Sequence, residues 1–234
     1  MELLGSGTNG VVRAAGEHFA VKEYQSPEEA SREHEAAIAI EERVAPAGRR
    51  HLLWCVPVGN VLLMRRARPL PHEFPGGLRR AAVHLFRAVD ALQLAGLVHG
   101  DIKLSNVGVV GNDLVLFDFG NMCLPDGGDL TRETCSAHTR PPEEEVHHRS
   151  DVYSAAMTVL EIVLGWPGMA RVMRRCGQDT RGETVPRPSH HAVQHMLRWV
   201  PDRAIRAALA RALEPSPHLR PDADAVLADL TRPR

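Results

Sequence analysis

Lysine is almost missing from this chain. Of its 28 Lys plus Arg residues only Lys22 and Lys103 are lysines, so nearly every positive charge is a guanidinium. A sustained charge of one sign is missing too. The formal net charge is -1, which removes any bulk electrostatic pull toward nucleic acid or an anionic membrane. Arginine pairs such as Arg65–Arg66 and Arg79–Arg80 read as solvated faces. The four cysteines, Cys55, Cys123, Cys135 and Cys176, lack the paired spacing of a metal site and read as reduced thiols of an intracellular protein. There is no long hydrophobic run. The longest mainly apolar stretch, DVYSAAMTVLEIVLGW (151–166), is short for a bilayer and carries Glu161, so it is expected to be a buried core helix with no membrane span. The opening MELLGSGTNG lacks the basic and apolar regions of a secretory signal. Among 13 histidines the adjacent pairs His147–His148 and His190–His191 do not share a helix face, so no metal site is expected at them.

What is present is an ordinary globular composition. With 44% hydrophobic and 24% charged residues over 234 positions, the chain can bury a substantial core as one large domain or two packed lobes. No internal repeat or low-complexity tract interrupts it. Residues 2–24 alternate short apolar runs with Gly-containing turns, predicting three strands. Ser26, Pro27 and Glu29 supply an N-cap, a first-position proline and a capping box for a helix over 27–43. Residues 51–64 predict two strands around a turn at Gly59–Asn60. The Pro/Gly-rich connector RARPLPHEFPGG (66–77) marks the boundary between an N-lobe of about 1–65 and a C-lobe of about 66–234. Beyond it Leu78, Ala82, Leu85, Val89 and Leu92 recur at helical spacing, with Gly96 as C-terminal cap. A hairpin and a long irregular loop (120–145) follow. Helices are then expected near 151–164, 167–176, 188–199, 203–213 and 222–231.

Four stretches carry chemistry. LGSGTNGVV places Gly5, Gly7 and Gly10 in a GxGxxGxV pattern between two strands, where a dinucleotide fold would hand over to a helix. Glycines in such a hairpin let backbone amides approach phosphate oxygens. Lys22 stands at the centre of an apolar strand and needs a partner there; Glu33 and Glu35 on the following helix are both available. HGDIKLSN (99–106) and LVLFDFG (114–120) then bring two carboxylates, a carboxamide and the other lysine. Hard oxygens of this kind hold Mg²⁺, and a carboxylate left free of metal accepts a proton from an attacking hydroxyl. Lys103, beside Asp101, is placed to meet charge developing on a transferred phosphoryl group.

In this order the motifs resemble a eukaryotic-type protein kinase, most similar to the Ser/Thr branch, over nearly the whole chain. The resemblance implies an α+β, two-lobed fold with a small β-rich N-lobe and a larger, mainly helical C-lobe. It implies ATP and Mg²⁺ as cofactors: Gly5, Gly7 and Gly10 over the nucleotide, Val12, Ala20 and Met64 lining its pocket, and Lys22 on the α and β phosphates. Glu35 is taken as the helix glutamate that pairs with Lys22, because Ile38 then falls on the expected apolar face; Glu33 is the alternative. Asp101 matches the catalytic base, Lys103 the γ-phosphate lysine, and Asn106 and Asp118 the metal ligands. Later landmarks agree: Pro142–Glu143 resembles the end of an activation segment, Asp151 the residue that ties down the catalytic loop, and Arg220 the partner of Glu143. Both lysines thus fall where a compact ammonium suits phosphate better than a planar fork.

The chain also departs from that family. Gly100 stands where an arginine often meets an activation-segment phosphate, so constitutive activity is expected, although Thr131, Thr134, Ser136 and Thr139 lie in the segment. Ser136 is expected to contact the catalytic loop through its hydroxyl. Gly108 thins the floor under adenine, which either weakens ATP or is filled from elsewhere. The partner implied is a protein substrate bearing a Ser or Thr hydroxyl, with the chain itself a monomer in the cytoplasm or nucleus, or in a host cell if the source is viral. Two other readings remain open: a small-molecule phosphotransferase of the aminoglycoside type, and a pseudokinase that binds without turnover.

Overall fold

Alternation of apolar and polar residues in the first 24 positions produces three antiparallel strands: β1 (Leu3–Gly7), β2 (Gly10–Ala14) and β3 (Phe19–Tyr24). On β3 the even positions face inward, so Ala20 and Lys22 are both buried while Phe19 and Glu23 are exposed. Gly10 is required where β2 meets β3, because a Cβ there would stand 2.3 Å from the Glu23 carbonyl oxygen. This computed structural model describes residues 2–7, 10–71, 74–125, 136–181 and 186–232.

Helix α1 (Pro27–Arg43) starts where expected, with the Ser26 side chain accepting the Glu29 amide at 3.2 Å. The reciprocal bond of the capping box is not made, and Glu29 Oε2 is buried without a partner. Strands β4 (Cys55–Val58) and β5 (Val61–Arg65) complete a five-stranded sheet of order β1-β2-β3-β5-β4. A small apolar cluster of Ala20, Ala37, Leu53, Leu62, Met64 and Val115 fills the space beneath it.

The connector contributes β6 (Arg68–Pro69), which pairs with β7 (Val107–Val110) and, through it, β8 (Asp113–Leu116). Helix α2 (Gly77–Leu94) lies between; Ala81, Ala82, Leu85, Phe86, Ala88, Val89 and Leu92 on it are fully buried. The Leu97 amide returns to the Leu92 carbonyl at 2.9 Å through Gly96, whose φ is +67°. Helix α3 (Ser150–Arg175) has the length and apolar composition of a membrane span, but 61% of that window is buried inside the protein. Gly165 (φ 63°, ψ 161°) breaks it before Pro167, dividing it much as the sequence predicts. Helices α4 (His190–Leu197), α5 (Arg203–Ala212) and α6 (Ala223–Thr231) close the chain, and the larger apolar cluster runs from α2 through α3 to α6. The fold is therefore α+β, a small antiparallel sheet followed by several helices, compatible with two lobes.

Candidate functional site

A cavity of about 1630 Å³ opens along one side of the sheet and reaches the start of the helical half. Gly5, Gly10, Val12, Ala20, Lys22 and Met64 line it from the sheet, and Asp101, Lys103, Asn106 and Asp118 from the loops around β7 and β8. Gly7 lies at the end of β1, paired with Gly10.

Lys22 is the hub. Its ammonium donates to Glu33 Oε2 at 2.5 Å and to Asp118 Oδ1 at 2.7 Å, and sits 5.4 Å from the Tyr24 ring centroid. Burial pulls the lysine pKa down, but the two carboxylates outweigh it and hold it above the ordinary value, so Lys22 is charged. Burial likewise lifts the Glu33 carboxyl, opposed by Lys22. Asp118 goes the other way: burial raises it, but Lys22, His99 and Lys103 hold it below the usual carboxylate range.

The partner of Lys22 is Glu33, and the assignment to Glu35 is corrected. The buried stripe of α1 is Ala30, Glu33, Ala36, Ala37 and Ile40, spaced as one helix face requires. Ile38 is 48% exposed. Glu35 lies outside that stripe, where its carboxylate accepts the Ser31 hydroxyl at 3.0 Å in an exposed contact.

The HGDIKLSN loop is held from below. Buried Asp151, at the start of α3, accepts the amides of His99 at 2.6 Å and Gly100 at 3.1 Å. Gly100 has φ +79°, a region open to glycine at little cost, which turns both amides toward that carboxylate. The His99 ring bridges to the residue after β8: Nε2 donates to the Phe117 carbonyl at 3.1 Å, while Nδ1 accepts the Asp101 amide at 3.3 Å. His99 was not singled out in the sequence, although it opens the octapeptide.

Asp101 receives several donors. Lys103 Nζ is 2.6 Å from Oδ2, Asn106 Nδ2 donates to the Asp101 carbonyl at 2.9 Å, and the Ser136 amide donates to Oδ1 at 3.0 Å. Ser136 thus reaches the loop through its backbone, where a hydroxyl contact was expected. Thr131 and Thr134 lie outside the described residues, as does Cys135. Asp118 carries φ +66°, the one described non-glycine residue with positive φ; aspartate tolerates this region better than most side chains.

At Gly108 the floor is filled from neighbouring elements. A Cβ there would stand 3.0 Å from the Ala67 Cβ, 3.0 Å from the Arg68 carbonyl oxygen and 3.1 Å from Phe117 Cε1. Phe117, which the sequence reading passed over, lines the cavity at this point.

The segment after the site is clamped to the helical half. Arg220, fully buried, forms two bonds to Glu143 at 2.7 and 2.9 Å, and Ser150 Oγ adds a third to Glu143 at 2.8 Å. Burial raises the Glu143 carboxyl, but Arg220 and Ser150 overcome it and leave it below the usual range.

No family model matches the chain, and no curated protein matches it. The functional reading therefore rests on these residues and their geometry.

Proposed function

We propose that the chain is an ATP-dependent protein kinase of the two-lobed type, transferring the γ-phosphoryl group to Ser or Thr hydroxyls. One observation carries the reading: Lys22, Glu33, Asp101, Lys103, Asn106 and Asp118 come from four separate stretches and line one cavity, Lys22 bonded to Glu33 and Asp118, and Asp101 to Lys103 and Asn106. A buried, doubly paired ammonium is costly to maintain for stability alone, and phosphate is the ligand it suits.

The donor set fits Mg²⁺. Asp118 is held ionised, and Asn106 uses its amide nitrogen on Asp101, leaving its carboxamide oxygen as the hard donor. Bound there, Mg²⁺ would neutralise phosphate charge. The protein's own groups supply the rest. Lys22 meets the non-transferred phosphates, Asp101 orients the acceptor hydroxyl and takes its proton as the oxygen attacks the γ-phosphorus and the bond to the bridging oxygen breaks to release ADP, and Lys103 offsets charge on the transferred group. Lys103 and the Glu143–Arg220 clamp, landmarks that the resemblance gives to protein kinases and not to aminoglycoside-type phosphotransferases, favour protein over small-molecule acceptors.

The test is incubation of the chain with Mg²⁺ and γ-labelled ATP, offering casein-like protein beside small aminoglycoside alcohols, with Asp118→Asn as control. Label on protein Ser or Thr in the wild type alone is the expected result. Label on the small alcohols instead, or none above the control, overturns the reading.

A further inference from the structure

Three side chains of metal-ligating type meet at a point where none of them lines that cavity. Cys176 ends α3, and His191 and His195 stand four residues apart on α4, one above the other on the same face. The thiol sulfur and one nitrogen of each ring lie within 4.8 Å of one another, and the two ring centroids are 4.5 Å apart. Metal bonds of about 2.0–2.3 Å at tetrahedral angles need donor separations near 3.5 Å. Rotation of the side chains covers the difference, because His191 is exposed and Cys176 half-buried.

The backbone around them is already held. Ala192, Val193 and Met196 of α4 are fully buried in the same core as Met169 and Met173 of α3. Gln178 latches the chain after Cys176 to the start of α4: Oε1 accepts the Ser189 amide at 2.8 Å, and Nε2 donates to the Arg187 carbonyl at 2.7 Å. Neither the thiol nor the two rings have a hydrogen-bond partner among the described residues.

We propose that Cys176, His191 and His195 form a three-ligand Zn²⁺ site that staples the end of α3 to α4, with water in the fourth position. One thiolate and two imidazoles are a borderline-soft set that suits Zn²⁺. Binding converts the Cys176 thiol to a zinc-bound thiolate and releases its proton to solvent. The other His-containing cluster, His51, His84 and Asp113, is built differently. Its imidazole centroids lie 4.3 Å apart with the rings tilted, both nitrogens of His84 are engaged, Nδ1 by the Leu114 amide and Nε2 by Arg80, and Asp113 is engaged by Arg50.

The test uses the tag-free full chain, stripped with chelator and titrated with Co²⁺ and then Zn²⁺, and needs no nucleotide. The expected result is one equivalent of cobalt with a thiolate-to-metal charge-transfer band and strong tetrahedral d–d absorption, displaced by zinc. Cys176→Ser loses the thiolate band and the zinc-dependent rise in Tm. His191→Ala, at an exposed position that leaves the core untouched, weakens cobalt binding by more than the roughly 10–100-fold that loss of an outer-shell partner costs. His84→Asn leaves the spectrum unchanged. A wild-type spectrum without the thiolate band, bands that survive Cys176→Ser, or bands lost in His84→Asn would each overturn the site.

Discussion

Lys22 Nζ and Glu33 Oε2 meet at 2.5 Å with side-chain exposures of 9% and 3%, so the ion pair is almost wholly removed from water. Charges buried this deeply need partners. Glu33→Gln is therefore expected to lower stability by up to about 3 kcal/mol, less than the full loss of a buried pair because Asp118 still holds Lys22. It is also expected to reduce phosphoryl transfer sharply. Glu35→Gln should stay within about 0.5 kcal/mol of wild type. Urea unfolding and labelled-ATP turnover on both variants check this, and equal effects would contradict the assignment.

In the proposed reaction Asp101 takes the proton of the acceptor hydroxyl. Asp101→Asn keeps the shape and removes the base, so turnover should fall by about 10²–10⁴ while nucleotide still raises Tm. A variant that turned over at the wild-type rate would remove Asp101 from the mechanism.

The Glu143–Arg220 clamp has a pH signature. Its folded pKa lies below the ordinary glutamate value of 4.5. The folded state thus favours the ionised form, and its stabilisation is complete above pH 4.5 and lost as pH falls through the folded value. Thermal melts of wild type and Glu143→Gln should run parallel from neutrality to that pH. Below it the wild type should lose stability more steeply, and the two should converge.

His84 acts at higher pH. Burial, with His51 beside it, lowers its pKa from 6.5 to about 4. The unfolded chain binds this proton first, so stability is constant above pH 6.5 and declines down to about pH 4. His84→Asn should flatten melts across that window, and an unchanged slope would show that the imidazole charges freely in the folded state.

Gly108 has three neighbours within 3.1 Å of a would-be Cβ, one of them backbone. Gly108→Ala should cost about 1–3 kcal/mol through overpacking, and Phe117→Ala added to it should recover part, since one contact disappears. Denaturation midpoints of the single and double variants measure this; a fully neutral Gly108→Ala would mean the floor is loose.

Local patterns in the chain were enough for most elements. Strand alternation in β1–β3, the Ser26–Pro27 start of α1, the Gly59–Asn60 turn and the division of α3 near Gly165 are decided by residues within a few positions of one another. The four polar residues that gather in the cavity were also legible, because Lys22 in an apolar strand and Asp101, Asn106 and Asp118 at fixed spacing leave few other uses. Glu33 was legible in principle: Ala30, Ala37 and Ile40 mark its stripe, and weight placed on Ile38 instead pointed to the wrong face of the same helix.

Other contacts have no local signature. That His99 would tie Asp101 to Phe117, that Ser136 would offer its amide and not its hydroxyl, and that Phe117 would crowd Gly108 depend on how β6–β8 and the loops stack. The same holds for Cys176 beside His191 and His195. Adjacent histidines drew attention, while the i, i+4 pair and a cysteine 15 residues before His191 were brought together by packing of α4 on α3. Hydrogen bonding and periodicity act along the chain and can be read from it; close approach between distant segments is settled by the shape of the core, which belongs to no single stretch of residues.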